Sequence, residues 1–106
     1  MTPEKWSRYS PRDQVLNVVA ELHRYGSFTR DTMPEAATES LLRCTELIDF
    51  MKTDPRWKTS LRELCRSKEW LISGLEEPQS LSEIYATEQL FLQFNAEAFN
   101  LLTSEN

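Results

Sequence analysis

Few side chains in this sequence are of the kinds that do chemistry. His23 is the lone histidine, Cys44 and Cys65 are the only cysteines, and the carboxylates are scattered. A nucleophilic thiol needs a half-exposed, electropositive setting and a base within reach. Cys44 and Cys65 fall instead on the apolar stripes of two helices, without C-x-x-C spacing, and read as buried, inert thiols of a reducing compartment. Two cysteines and one histidine make no four-ligand zinc site without carboxylates. Neither a Glu-x-x-His pair nor a glycine-rich phosphate loop occurs. His23 reads as a satisfied histidine at the border of an apolar helix face. These residues predict no metal, no cofactor, no small-molecule substrate and no enzymatic activity. Lys58, Arg62 and Arg66 recur every fourth residue, which lines them along one side of a helix. There they meet either the acidic last helix or, as a weak second use, nucleic-acid phosphate.

Charge is unevenly divided along the 106 residues, whose net charge is −5. Residues 1–68 hold all twelve Lys and Arg against ten acids, a net of +2, and residues 69–106 hold seven acids and no Lys or Arg, a net of −7. An acidic chain lacks the cationic surface that nucleic acid or anionic membrane demands, which argues against both as main partners. No apolar run approaches the ~20 residues of a membrane span, and residues 1–10 lack the apolar core of a secretory signal. The expectation is a cytoplasmic protein of one domain, 1–106.

Helices are the elements that must position these groups. The sequence contains two glycines, Gly26 and Gly74, too few for a turn-rich β fold. After an N-terminal arm, residues 1–9, Ser10 caps a first helix with Pro11 at its first position. Val15, Leu16, Val18, Val19 and Leu22 form its stripe, and Gly26 reads as its stop, with a loop over 27–32. Thr32 and Glu35 form a capping box for a second helix, which runs to about Lys52. Asp54-Pro55 starts a third, ended by Gly74; the second and third read as a helical hairpin or as one bent helix. After the acidic linker 76–79, Ser80 and Glu83 form a second capping box, and the last helix runs to about Leu102. The short connections predict an all-α, antiparallel, up-down-up-down-like four-helix bundle with a short N-terminal arm.

The last helix carries more apolar surface than one contact face can bury. Leu81, Ile84, Tyr85, Phe91 and Phe99 share a broad face, while Leu90, Phe94 and Leu101 fall nearly opposite. Burial of Leu or Phe stabilises by about 1.5–3 kcal/mol each. A second stripe therefore implies either a helix covered all round or a partner. Trp70 and Phe50 also lie off their core stripes. Trp70, Leu90, Phe94 and Leu101, with Phe50 secondary, are the candidate partner-binding residues, for a partner helix or for a second copy in a homodimer. Lys68 and Glu88 interrupt apolar faces. Each needs a counter-charge, so they are expected to pair with one another, or Glu88 with Arg12, as a structural polar pair.

The stretch Glu21-Leu22-His23-Arg24-Tyr25-Gly26-Ser27 resembles the histidine segment of four-helix phosphotransfer domains. That resemblance implies phosphoryl acceptance by His23, although the family's lysine three residues after the histidine is replaced here by Gly26. The acidic, helical character is also similar in class to small secretion and flagellar export chaperones. The expected function is a non-enzymatic protein–protein interaction module, an adaptor, regulator or chaperone-like bundle.

Overall fold

A computed structural model describes residues 2–95, and every regular element among them is helical. The arm forms a short helix, α1 (Pro3–Ser7), whose N-cap Thr2 accepts the Lys5 N–H through Oγ1 at 3.3 Å. This turn folds Trp6 into the core, with its ring edge-on to Tyr9 at 5.7 Å and tilted against Phe50 at 6.3 Å.

The first long helix, α2 (Pro11–Arg30), opens as its sequence dictates, Ser10 Oγ accepting the Asp13 N–H at 3.1 Å. It does not stop at Gly26, and the loop expected over 27–32 is mostly helix. A glycine inside a helix costs about 1 kcal/mol. It is tolerated here because Ile84 presses on it: a Cβ at Gly26 would lie 3.3 Å from Ile84 Cγ2. The helix ends at Thr32, which holds a left-handed φ of +58°. Met33 N–H bonds to Phe28 O at 2.8 Å and Thr32 N–H to Thr29 O at 3.2 Å, the paired bonds of a Schellman stop. Thr32 therefore terminates one helix instead of capping the next. The expected Thr32–Glu35 capping box is absent, and α3 (Pro34–Thr53) starts from Met33 without a side-chain cap.

Asp54 caps the next segment as expected, its carboxylate taking the Arg56 N–H at 3.0 Å. Pro55–Ser60 is a 3-10 turn, however, and only then does α4 (Leu61–Ser73) begin. The second and third helices of the sequence are thus separate. Ser80 caps α5 (Leu81–Leu92), with Glu83 N–H to Ser80 Oγ at 3.2 Å and Ser80 Oγ to the Glu83 carboxylate at 3.1 Å. The last helix ends at Leu92, well short of Leu102, where the Gln93 N–H turns back onto Gln89 and Leu90 carbonyls. Phe99, Leu101 and Leu102 lie outside the described residues.

The result is an all-α bundle. In it α2 and α3 are the inner pair, with α5 packed on α2 and α4 on α3. One core, built on Val18, Leu22, Leu41, Ile48, Leu71 and Phe91, joins the helices. A polar knot lies under the arm. Gln14, with no exposed surface, donates to Trp6 O at 3.0 Å and to the Asp54 carboxylate at 3.1 Å, and accepts from Trp57 Nε1 at 2.6 Å.

Hydrogen bonds from the Arg56 side chain, helped by its backbone N–H and the Gln14 amide, hold the Asp54 carboxyl down at about 2, from an ordinary 3.8. A depressed carboxyl favours the fold only while ionised. Its contribution is complete above the unfolded value near 4 and is lost as pH falls through 2. Urea midpoints of the wild-type protein should therefore decline between those limits. Asp54→Asn should flatten the decline, and an unaltered slope would rule out Asp54 as its source.

Candidate protein-docking groove

The helices α4 and α5 face each other across an open groove. At one end the Trp70 indole N–H donates to the Glu83 carboxylate at 3.2 Å. At the other, Phe94 tilts against Trp57 with ring centroids 6.4 Å apart. Between these two closures the walls stay apart, enclosing about 460 Å³ lined by Ser67, Trp70, Ala86, Thr87 and Leu90. Glu63 and Arg66 on α4 and Glu83 on α5 edge it. Spacings of four and then three residues produce each wall, since Glu63, Ser67 and Trp70, like Glu83, Thr87 and Leu90, follow one another on one side of their helix.

Two of the expected contact residues meet here. Trp70 is half-buried and Leu90 is 40 % exposed, and they sit on opposite walls. Phe94 and Phe50 do not join them. Phe94 is half-buried against Phe91, at 5.0 Å between ring centroids, as well as Trp57. Phe50 packs on Trp6, because the arm folds back over it. Both belong largely to the protomer's own packing. Leu101 lies outside the described residues.

Leu81 and Tyr85, expected in the core, are exposed, Tyr85 by 63 %. The contact of Ile84 with Gly26 sets the rotation of α5, and Tyr85, one residue and about 100° further round, turns outward. The outer side of α5 then presents Leu81, Ser82, Tyr85, Ala86 and Leu90, with Glu83 at its edge. That scarcity of charge around apolar and aromatic side chains is the compositional mark of an interface.

Lys68 and Glu88 do not form the expected pair. Lys68 Nζ reaches Asp49 on α3, 2.7 and 3.0 Å from its two carboxylate oxygens. An apolar stem with its ammonium at the core edge explains why lysine is tolerated on this stripe. The carboxylate of Glu88 faces His23 Nδ1 at 3.8 Å. Burial raises the Glu88 carboxyl above its ordinary value, and the nearby His23 opposes the shift. The His23 imidazole itself is 75 % exposed, not the satisfied border residue expected. It opens into a shallow crevice of about 210 Å³ with Arg30, Tyr85 and Glu88.

Cys44 is buried as expected, and that burial, with the nearby Glu21 carboxylate, pushes its thiol far up. Cys65 is only half-buried. Lys58, Arg62 and Arg66 are exposed and make no ion pair among the described residues. Their neighbour Arg56 is occupied structurally, by Asp54 at 2.7 Å and Ser7 O at 3.0 Å. A third opening, an apolar pocket of about 480 Å³ at the α2–α3 turn, is lined by Phe28, Met33, Leu41, Leu75 and Pro78. Among the described residues no three His, Cys, Asp or Glu side chains could hold a metal ion together, and no helix is long and apolar enough to cross a membrane.

Among the buried polar residues, Gln14 and Gln79 carry the most tertiary hydrogen bonds, and neither stands out in the sequence as a site. Gln14 shares the helical phase of Val18, Leu22 and Tyr25, so its place on the core stripe was open to view. Gln79 sits in a linker, where no periodicity marks it, yet it is buried.

Comparison of the chain with protein-family models, with curated proteins and with solved structures finds no match.

Proposed function

We propose that the bundle is a non-enzymatic protein-interaction module that receives an apolar helix face in the α4/α5 groove. One observation carries this reading. Trp70 and Leu90, which the sequence places off the core stripes of two different helices, face one shared groove. The area beside that groove on α5 carries almost no charge. Helix-in-groove docking uses such an arrangement, the groove supplying apolar contact and its charged rims supplying register.

Leu90→Arg tests the reading. The side chain is already part-exposed, so the variant should keep its helical circular dichroism and melt within a few degrees of wild type. A protein retained from cell lysate by the tagged wild-type chain should be lost by Leu90→Arg. Equal retention by both proteins would overturn the proposal.

A second reading, phosphoryl acceptance by His23, is favoured by the geometry of the crevice. Glu88 faces Nδ1 while the imidazole is otherwise open to solvent. Incubation with a small acyl phosphate, followed by intact-mass measurement of wild type and His23→Ala, separates this reading from the first.

A further inference from the structure

We propose that the occupant of the α4/α5 groove is the same groove-bearing edge of a second copy of this chain, the two copies being related by a two-fold axis that runs along the groove. The inference rests on the groove reading above and adds the identity of the partner.

Charge supplies the first argument. Arg66, beside Glu63 on the α4 rim, is the cation of the groove lining, and Glu83 on the α5 rim is the anion across from it. Arg66 has no ion-pair partner among the described residues, and the described hydrogen bonds to the Glu83 carboxylate come from neutral donors, Trp70 Nε1 and Ser80 Oγ. Arg62 lies one turn from Arg66, whereas α5 contains no Lys or Arg.

Symmetry supplies the second. The closures at Trp57–Phe94 and Trp70–Glu83 show that α4 and α5 run antiparallel across the groove. A two-fold axis along the groove preserves height and exchanges the walls. The α4 of one molecule then faces the α5 of the other, antiparallel to it. Arg66 comes opposite the partner's Glu83 to within about one helical turn, about 5.4 Å, a gap that an arginine side chain spans. The two Leu90 side chains meet in one layer and the two Trp70 rings in another, closing an isologous contact. A rotation about an axis across the groove would instead set α4 against α4, cation against cation.

Sedimentation equilibrium of the full chain tests this, from low micromolar to millimolar concentration and at low and high salt. The expected result is a monomer–dimer equilibrium that weakens as salt rises. Arg66→Glu and Glu83→Lys should each weaken dimerisation about tenfold or more, and their combination should restore it to within about threefold of wild type. Ala86→Arg, which fills the groove, should abolish the dimer. Because Glu83 also caps α5, circular dichroism accompanies each variant; if Glu83→Lys unfolds, Arg66→Glu and Ala86→Arg decide. A wild-type chain monomeric at millimolar concentration overturns the self-pairing, as does a dimer indifferent to Ala86→Arg. A monomeric chain that still loses its retained protein on Leu90→Arg overturns the self-pairing alone and leaves the groove with a different partner.

Discussion

Gln14→Leu should cost the fold about 1–3 kcal/mol, a sizeable part of the total stability of a chain this size. Leucine matches glutamine in bulk, so the loss is not one of packing. It comes mainly from Trp57 Nε1, which has no other partner among the described residues, while the Trp6 carbonyl keeps the Tyr9 N–H and the Asp54 carboxylate keeps Arg56. A buried donor or acceptor left unmade costs about 1–3 kcal/mol, and more when charged. Guanidinium denaturation would show the loss as a lower midpoint at unchanged slope. Gln14→Glu distinguishes this cause from a general intolerance of substitution. It can still accept from Trp57, but it places a second carboxylate beside Asp54. Its cost should therefore be large at neutral pH and shrink in acid. A Gln14→Leu protein as stable as wild type would show that water or backbone movement satisfies Trp57 Nε1 instead.

The second large effect is expected at Gly74, the C-cap of α4. Its φ of −67° is open to any residue, and alanine at such a position ordinarily stabilises by about 0.4–1 kcal/mol. Here it should destabilise by about 1–2 kcal/mol, because the Gln79 side chain lies on the glycine: a Cβ would come 2.7 Å from its Nε2. Gln79 accepts the Tyr25 hydroxyl, and its amide donates to Trp70 O at 2.5 Å and Ser73 Oγ at 3.3 Å. Displacing it strands the buried Tyr25 hydroxyl. The double-mutant cycle is the decisive measurement. In a Gln79→Ala background the obstruction is gone, so Gly74→Ala should turn stabilising. Additive effects of the two substitutions would refute the account. The Gln79 latch also holds the backbone of Trp70, so Gly74→Ala should weaken groove binding beyond its effect on stability.

Local chemistry and the tertiary fold divide the credit at identifiable residues. Ser10, Asp54 and Ser80 cap their segments as read, since a cap needs only a short polar side chain and a free N–H two or three residues on. Gly26 and Thr32 were misread for one shared reason. A glycine signals both a helix stop and a close helix contact, and only Ile84, distant in sequence, shows which applies. The threonine then took the terminating role that the glycine seemed to fill. Lys68 and Glu88 both found ionic neighbours, but on helices the periodicity could not identify. Phe94 and Phe50 were covered from beyond their own helices, by Trp57 and by the arm residue Trp6.

By itself the sequence determined that this protein is all-helical, that Ser10, Asp54 and Ser80 open their segments, that its charge divides into a balanced part and an acidic one, and that Leu90 lies off the face on which Ile84 and Phe91 are buried. These properties reside in local spacing and residue type, which survive without knowledge of the fold. Only the tertiary structure decided that α2 and α3 are the inner helices, that Gln14 and Gln79 tie the bundle together, and that Trp70 and Leu90 share a groove. Such facts depend on the rotation of each helix about its axis, and contacts made far along the chain set that rotation.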